Sequence, residues 1–250
     1  MSVDMPAPIS TAPGPLAPDT LDKLRQVSTA TITMQLLKRG LRHGAIKRAR
    51  PIDPRNARCV GPAYTLRFIP MREDLSGPPK PGEMSPSRIA IEGAPAGSVL
   101  VIDGDDGDNC GTLGDILAAR LKARGVAGVV SDGAMRDVAG IIAVGLPVLA
   151  NGAAAPASMN QVIPIDVNVP IGCGGVAVFP GDIVATDLDG AVVIPRAIAD
   201  ALARDAFEQE RVERFVLREV VGGRKIEGLY PPNEQALADY RKWLAAGEPQ

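Results

Sequence analysis

The middle of the chain alternates between continuous apolar runs and stretches with helical spacing of apolar residues. Apolar runs at 97–105, 126–133 and 146–152 predict buried strands, and the stretches at 114–125 and 136–145 predict helices that end at glycine. Strands and helices that alternate at this spacing are typical of a parallel sheet. The predicted fold class is therefore α/β with a parallel central sheet.

The flanking segments follow the same two periodicities. In the segment 174–195, short apolar runs are separated by PGD and DLDG, which predicts antiparallel hairpins. An N-terminal helix is expected over residues 21–40, with Asp19 or Thr20 as its cap and Gly40 as its end. The remaining predicted elements are a strand at 63–69, a loop at 75–86, and helices at 196–221 and 233–247.

These elements predict one main domain without an internal repeat. Residues 1–18 are rich in Pro, Ala and Ser and are expected to form an arm, residues 19–230 the domain, and residues 231–250 a C-terminal helical extension. The first twenty residues lack the charged and apolar regions of a signal peptide, and no apolar run has the length of a membrane span. No membrane partner is expected.

Composition and charge narrow the function classes. Hydrophobic residues make up 46% of the 250-residue chain and its net charge is −2. This charge argues against an unaided nucleic-acid binder, which needs clustered Lys and Arg. The basic stretch 38–51 is the exception, and we interpret it as a solvated helix end and loop.

Cysteine and histidine content excludes several kinds of site. The three cysteines lie far apart, so neither a disulfide framework nor zinc spacing can be built from them. This usage indicates a reducing, cytoplasmic environment. His43 is the only histidine, which excludes multi-histidine metal sites and makes a histidine-based triad a poor candidate; it is expected on the surface of a basic loop.

The glycine-rich segment DGDDGDNCGTLGD (103–115) follows a predicted strand. It lacks the G-x-G-x-x-G and Walker patterns, and glycine stands where an EF-hand needs carboxylate ligands. One interpretation is a solvated acidic turn. The other is that Gly114 and Asp115 open a helix whose free N–H groups, at Ile116 and Leu117, bind a carboxylate or an enolate oxygen.

Two opposite charges, Arg136 and Asp137, follow the next predicted strand within SDGAMRDVAGI (131–141). Adjacent residues on a helix do not face each other, so a mutual salt bridge is a poor explanation for the pair. Asp137 could simply favour a helix N-terminus beside a solvated Arg136. Alternatively, because ligands bind at the carboxyl edge of open α/β sheets, Asp115, Arg136 and Asp137 could together hold a divalent cation and an anionic substrate.

The spacing of these two motifs resembles that of a known family. Gly114 and Asp115, followed after twenty residues by Arg136 and Asp137, are similar to the signature of the class II 4-hydroxy-4-methyl-2-oxoglutarate/4-carboxy-4-hydroxy-2-oxoadipate aldolases of the RraA-like family. The similarity spans roughly residues 20–230. Further matching segments are STATIT (28–33), GPAYT (61–65), VLVIDGD (99–105), GDIVATDLDGAVVIP (181–195) and EQERVER (208–214).

The resemblance implies a fold, an assembly and a set of roles. It implies a β/β/α sandwich of the swivelling phosphohistidine-domain type, in trimers or hexamers with sites between subunits. Asp137 would ligate Mg²⁺ or Mn²⁺, and Arg136 would neutralise the substrate carboxylate or the developing enolate. Asp115 would hold a metal-bound water as part of the base machinery. Gly114 and the amides of Ile116 and Leu117 would form the site for the pyruvyl carboxylate.

A glutamate from a neighbouring subunit is also implied in the outer shell of the metal. Its counterpart here is expected to be Glu210, with Glu208 and Glu213 as rivals, although all three could be the charged face of an ordinary helix. The chain departs from the family pattern at Met34 and Gln35, where an acidic residue is usual. Its loop at 68–86 is also longer, which leaves the substrate beyond the pyruvyl group open.

Three function hypotheses follow from these residues. The first is a metal-dependent lyase that cleaves a 4-hydroxy-2-oxo acid through a pyruvate enolate, with oxaloacetate decarboxylation through the same enolate. No lysine is placed at the site, which disfavours Schiff-base chemistry. The second is a non-catalytic protein-binding regulator of the ribonuclease E type, although those inhibitors lack the G-D and R-D pairs. The third is a sugar-acid hydratase or dehydratase that uses the same metal site.

Overall fold

The computed structural model describes residues 14–74, 84–105, 107 and 109–248. The strands are Ala45–Ile46 (β1), Arg50–Pro51 (β2), Val60–Pro70 (β3), Val99–Asp103 (β4), Gly128–Ser131 (β5), Val148–Ala150 (β6), Val162–Val167 (β7), Ile171–Cys173 (β8), Val176–Val178 (β9), Ile183–Asp187 (β10) and Gly190–Ile194 (β11). The α-helices are Thr20–Leu24 (α1), Thr29–Lys38 (α2), Pro86–Gly93 (α3), Asp115–Ala123 (α4), Val138–Val144 (α5), Ala199–Val221 (α6) and Glu234–Ala245 (α7).

A nine-stranded sheet forms the centre, in the order β1-β11-β10-β3-β4-β5-β6-β2, with β7 paired to β3. Strands β3, β4, β5 and β6 run parallel, while β10 pairs antiparallel with β3 and β11 pairs antiparallel with β10. The predicted α/β class with a mostly parallel centre and antiparallel strands is confirmed. The finer description as a swivelling phosphohistidine-type sandwich stays a prediction.

The central strands are buried on both faces. In β4 all four of the residues from Val99 to Ile102 are fully buried. Leu100 and Ile102 belong to the core shared with α3, α4 and α5, whereas Val99 and Val101 belong to the core that also contains residues of β8 and β9. A parallel strand that is covered on both faces has a continuous apolar sequence, which is why the periodicity located β4, β5 and β6.

Two further cores lie outside the parallel sheet. Helices α1, α2 and the first half of α6 pack against β10 and β11. The second half of α6 packs against α7 around Phe215, Tyr240 and Trp243, with ring centroids 5.8 to 6.0 Å apart. The predicted final helix is thus present, while the predicted division into an arm, a domain and an extension stays a prediction, and residues 1–13 of the arm lie outside the described residues.

The prediction of one long N-terminal helix is wrong in the middle of that segment. It is divided into α1 and α2, because Ser28 adopts an extended conformation and its Oγ accepts a hydrogen bond from the Thr31 amide. A serine in this position caps a new helix instead of continuing the old one. The predicted end at Gly40 is consistent with its φ of 80°.

Other expectations differ in detail from the structure. The DLDG segment joins β10 to β11 as predicted, but PGD does not form a hairpin, because β9 pairs with β8 in a separate two-stranded sheet. In the predicted loop at 75–86, residues 75–83 lie outside the described residues, and α3 begins at Pro86 with Ser85 as its cap.

Within the described segments, no helix combines the length and apolar character needed to cross a membrane.

Candidate active site

The turns that follow β4 and β5 lie side by side, as the sequence predicts. Beyond the strands, the parallel pairing continues as a bridge between Gly111 and Ala134. The Thr112 amide donates to the Ala134 carbonyl at 2.9 Å, and the Arg136 amide donates to the Leu113 carbonyl at 3.0 Å. These backbone bonds bring the first turns of α4 and α5 together at the carboxyl edge of the sheet.

The side chains of Arg136 and Asp137 form a salt bridge with each other. The Nε of Arg136 lies 3.1 Å from Oδ2 of Asp137, and the two side chains are 40% and 44% exposed. The expectation that adjacent charges would not pair is wrong. The reason is that Asp137 precedes α5 in a left-handed conformation, with φ 55° and ψ 40°, so the geometry of neighbouring residues within a helix does not apply.

Asp137 is the N-cap residue of α5 by position, but its carboxylate does not cap the helix. It makes no side-chain hydrogen bond to the amides of α5. Among the described residues its partner is Arg136, and an ion pair this exposed contributes little to stability. The simple explanation that Asp137 serves the helix N-terminus through a capping bond therefore fails, and its carboxylate remains available for a ligand.

The two motifs also touch through their side chains. A methyl group built on Gly114 would lie 2.7 Å from Oδ2 of Asp137 and 3.3 Å from Cγ of Arg136. One built on Gly140 would lie 2.6 Å from Cβ of Asp115. The structure therefore brings Gly114, Asp115, Arg136 and Asp137 into one cluster, with Gly140 as a neighbour that the sequence did not single out.

The amide of Ile116 is not free, contrary to expectation. It donates to Oδ1 of Asp115 at 2.7 Å, because the side chain of a residue that opens a helix can reach the amides of the first turn. The amide of Leu117 lies in the same first turn, where a helix provides no acceptor four residues earlier. The Ile116 side chain is 80% exposed, so this edge of the site is open.

The three candidate glutamates are engaged within their own chain. Glu210 accepts hydrogen bonds from the amide and Oγ of Ser28, each at 3.2 Å. Glu208 accepts from the Tyr240 hydroxyl at 2.8 Å, and Glu213 accepts from Gln209 at 2.9 Å. The role of Glu210 in a neighbouring subunit's site stays a prediction.

Met34 and Gln35, where the sequence was expected to depart from the pattern of the resemblance, both lie in α2. Gln35 is buried and its Nε2 donates to Oε1 of Gln209 in α6 at 2.7 Å, so it joins the two helices. Its neighbour Met34 is 45% exposed. The departure at this position is therefore accommodated by packing against α6.

Asp103 and Asp132 form a second pair of acidic residues at the same sheet edge, and they were not singled out from the sequence. Asp132 is buried and accepts hydrogen bonds from the amides of Gly104 at 2.6 Å and Gly174 at 2.7 Å. Partial burial and the nearby Asp132 carboxylate raise the pKa of Asp103 to about 6. The available signal was an aspartate directly after each of two apolar strands. Asp132 holds together the ends of β4, β5 and β8.

The donors at the site suit a hard divalent cation. No group of three or more His, Cys, Asp and Glu residues is assembled for a metal anywhere in the described part of the chain. Mg²⁺, however, is typically held by one or two carboxylates together with water and substrate oxygens. Asp137, with its carboxylate at the half-exposed edge and Asp115 on the neighbouring turn, provides that kind of site. The two residues fit such a cation.

A separate cleft of about 900 Å³ lies away from these residues. Its apolar lining includes Leu36, Phe179 and Val193, and Arg42 and His43 also line it. His43 is exposed there, as expected for a histidine of a basic loop. The cleft contains none of the predicted site residues. We place the candidate chemistry at the α4–α5 edge, because that is where the carboxylates and the guanidinium converge.

Comparisons with known proteins agree with the family resemblance. A protein of Halalkalibacterium halodurans with the provisional name 4-hydroxy-4-methyl-2-oxoglutarate aldolase is 33% identical over 155 residues, covering 62% of this chain and 68% of that protein. The protein DlpA of Legionella pneumophila is 26% identical over 91% of this chain, which spans only 35% of the length of DlpA.

Solved structures show the same fold. The crystal structure of Streptomyces coelicolor RraAS2, described as an unusual member of the RNase ES inhibitor RraA family, is 33% identical with a TM-score of 0.72, covering 81% of this chain and 98% of that one. An uncharacterized protein from Pseudomonas syringae pv. tomato is 27% identical with a TM-score of 0.75, covering 87% and 99%.

The family model described as "RraA-like: Aldolase/RraA" matches residues 21–193, which include both the G-D and the R-D motif. The similar proteins include one that carries the aldolase name and one described as a member of the RNase ES inhibitor RraA family. The chain belongs to the RraA-like family.

Proposed function

We propose that this chain is a divalent-metal-dependent class II pyruvate aldolase that cleaves 4-hydroxy-2-oxo acids, and that it also decarboxylates oxaloacetate. The observation that supports the proposal most directly is the contact between the first turns of α4 and α5. It brings Asp115, Arg136 and Asp137 together at the carboxyl edge of the parallel strands, where ligands of open α/β sheets bind. At family level the aldolase names of relatives point the same way.

In the proposed reaction the C3–C4 bond of the substrate breaks. The 4-hydroxyl loses its proton, C4 becomes a carbonyl, and the electron pair of the broken bond passes into the enolate of pyruvate. Protonation at C3 then gives pyruvate. In oxaloacetate the same electron pair is released when the C4 carboxylate leaves as CO₂, so one site can serve both reactions.

Each residue has a proposed task in this reaction. Arg136 uses Nε to hold Asp137, and the remaining N–H groups of its planar guanidinium are placed to bind the substrate carboxylate or the enolate oxygen. The Leu117 amide in the first turn of α4 is the donor that remains for the pyruvyl carboxylate, since Asp115 occupies the Ile116 amide. Asp115 is assigned to the path of the proton that leaves the 4-hydroxyl.

Asp137 is proposed to hold Mg²⁺ or Mn²⁺. When bound, such a cation supplies Lewis-acid stabilisation of the negative charge that develops on the 2-keto oxygen. Arg136 contributes to this task by orienting the Asp137 carboxylate through their salt bridge. The exposure of this edge also supports the proposal that subunits assemble as trimers or hexamers, with Glu210 of a neighbouring subunit approaching the site.

The test is a pyruvate-coupled assay with oxaloacetate and several 4-hydroxy-2-oxo acids. Protein stripped with EDTA is compared with the same protein after Mg²⁺ or Mn²⁺ has been restored. We expect turnover only in the restored samples. Equal turnover by stripped and restored protein would contradict metal dependence, and no turnover of any oxo acid in either sample would contradict the lyase itself.

A second candidate, a protein-binding regulator, is supported by the similarity to RraAS2. It predicts metal-independent capture of a ribonuclease E-type protein by the purified chain. The structure retains both acidic motifs in one cluster, which a purely protein-binding surface does not require. We therefore favour the enzyme, and tight capture in the presence of EDTA together with an absence of turnover would reverse that preference.

A further inference from the structure

The two aspartates of the candidate site each pack against a glycine of the opposite segment: Asp137 against Gly114, and Asp115 against Gly140. Oδ2 of Asp137, which precedes α5, lies 2.7 Å from the position that a Cβ of Gly114 would occupy at the start of α4. Cβ of Asp115, the first residue of α4, lies 2.6 Å from the position that a Cβ of Gly140 would occupy in α5. The start of α4 and the start of α5 therefore each place an aspartate in the space left by a glycine of the other.

Backbone conformation does not explain either glycine. Gly114 has φ −118° and ψ −178°, an extended conformation that any residue adopts. Gly140 lies within α5, where glycine is less favourable than alanine because it loses more conformational freedom on folding. The property that both positions use is the absence of a side chain.

The space at the two glycines is filled by the carboxylates themselves. Real Cβ atoms essentially never approach an atom outside their own and the neighbouring residues within 3.0 Å, and both methyl positions fall inside that limit. At Gly114 the second neighbour is Cγ of Arg136 at 3.3 Å, so a methyl group there would press on both members of the salt bridge. At Gly140 the three nearest atoms all belong to the side chain of Asp115.

We propose that Gly114 and Gly140 are positioning residues for the reaction: Gly140 sets the place of the Asp115 carboxylate, and Gly114 sets the place of the Asp137 carboxylate. The catalytic part of this inference rests on the proposed function, whereas the contact itself can be tested by folding alone. Displacing a reacting group by about 1 Å is enough to lower a rate by about 10²-fold.

The first experiment measures kinetics of Gly140→Ala and Gly114→Ala in the pyruvate-coupled assay. For Gly140→Ala we expect kcat to fall by about 10- to 100-fold while the Mg²⁺ concentration for half-maximal activity stays unchanged, because Asp115 moves and Asp137 does not. For Gly114→Ala we expect the Mg²⁺ requirement to rise severalfold as well. A merely structural role would not separate the two variants in this way.

The second experiment is a double-mutant cycle on stability, measured by urea unfolding. Gly140→Ala should lower the unfolding midpoint in the wild-type background, where its methyl group meets Asp115. In an Asp115→Gly background, which provides the missing space, the same substitution should leave the midpoint unchanged or raise it, because alanine favours the helix. The double variant also restores a folded sample if Gly140→Ala alone does not fold.

Gly172→Ala is the matched control, because a Cβ at Gly172 meets nothing within 4 Å and its φ is not positive. It should change neither the midpoint nor kcat appreciably. An equal effect of Gly140→Ala in both backgrounds would overturn the contact. Wild-type protein without lyase activity but with the expected coupling would refute the proposed function and, with it, the catalytic role of the glycines, while the contact stands. Wild-type protein with lyase activity but without the coupling would refute the contact and leave the proposed function in place.

Discussion

The backbone conformation of Asp137 determines where its carboxylate lies in the candidate site. A left-handed conformation costs a residue with a Cβ roughly 1–2 kcal/mol, and aspartate and asparagine tolerate it better than most. In this chain that conformation turns the carboxylate toward Arg136 and Gly114 instead of toward the amides of α5. The left-handed backbone at the start of α5 thus places a carboxylate at the sheet edge.

Substitutions of Asp137 should separate charge from backbone. We expect both Asp137→Ala and Asp137→Asn to abolish pyruvate release, because each removes the anionic oxygens. Asp137→Ala should also lose about 1 kcal/mol of stability that Asp137→Asn keeps, since asparagine tolerates φ of 55°. Urea unfolding and the coupled assay measure the two effects.

Asn168 provides the control, because it has a similar φ of 57° and is not one of the candidate site residues. Asn168→Ala should show the stability loss without the loss of activity. Full activity of Asp137→Asn would show that the carboxylate charge is not needed and would contradict the assignment.

Arg136 should not be replaceable by lysine. Its Nε holds Asp137 while its other N–H groups remain for the substrate, and an ammonium group cannot reproduce that planar arrangement. We expect Arg136→Lys to lower kcat/KM by about 10²-fold. Arg120→Lys is the matched control, since Arg120 forms an exposed ion pair with Glu92, and near wild-type turnover is expected there. An Arg136→Lys enzyme with wild-type kcat/KM would remove Arg136 from the reaction.

Asp103 should give folding stability a pH dependence of defined sign. Its pKa is raised to about 6 by partial burial and by the Asp132 carboxylate, from an ordinary value of 3.8. Between these values the folded state binds more protons than the unfolded state, so the free energy of unfolding falls as pH rises from about 4 to about 6 and levels off above. Asp103→Asn should remove this decrease and be more stable than wild type at pH 7.

The comparison with wild type is needed because burial also raises the pKa of Asp182, which adds a change of the same sign. Unfolding midpoints measured at pH 4, 5, 6 and 7 provide the test. Asp189→Asn, at an exposed turn, should leave the wild-type pH profile in place. A profile of Asp103→Asn that is parallel to wild type throughout would contradict the assignment to Asp103.

At the scale of elements, periodicity predicted those strands and helices whose sequence is determined by burial. Strands β4, β5 and β6 are covered on both faces, and the helices between them end at glycines with positive φ, Gly125 and Gly145. The break at Ser28 was missed because Ser28 belongs to a segment whose apolar spacing continues through it. Strand β7 was missed because it lies outside the main strand order, paired with β3, and is only partly buried.

The pair formed by the second half of α6 and α7 should behave as a local unit. Its small core around Phe215, Tyr240 and Trp243 is separate from the core of the sheet. We expect Trp243→Ala to increase hydrogen exchange in α7 and the end of α6 while β4 keeps its protection, because the cavity lies in this cluster alone. Trp243→Phe, which keeps a ring, should have a much smaller effect. Equal loss of protection in β4 would show that the cores are one cooperative unit.

At the scale of the whole molecule, the strand order explains which residues of the site could be predicted to meet. It does not explain the contacts that they make with each other. The meeting of Asp115, Arg136 and Asp137 followed from two consecutive parallel strands, whose carboxyl ends share an edge. The salt bridge between Arg136 and Asp137, and the occupied Ile116 amide, did not follow. They depend on a backbone dihedral and on a side-chain rotamer, which apolar periodicity does not encode.

The proposed assembly can be tested by mixing two inactive variants. If Glu210 serves the site of a neighbour, subunits with Asp137→Ala and subunits with Glu210→Gln can together form intact sites. After denaturation and joint refolding of equal amounts, about one quarter of the sites should be intact in a cyclic assembly. Each variant refolded alone is the control. If Glu210 acts only through its contact with Ser28 in its own chain, mixing restores no activity.

The hydrogen bonds of Asp132 bear on how the proposed enzyme could be engineered. One buried carboxylate fastens the residue after β4 to the glycine that follows β8, so a substitution of Asp132 would release both segments together. The side chain of Ile116 in the first turn of α4 is largely exposed and takes no part in that connection. On the proposed function, a library that varies Ile116 and leaves Asp132 untouched should redirect selectivity among oxo acids without loosening the scaffold.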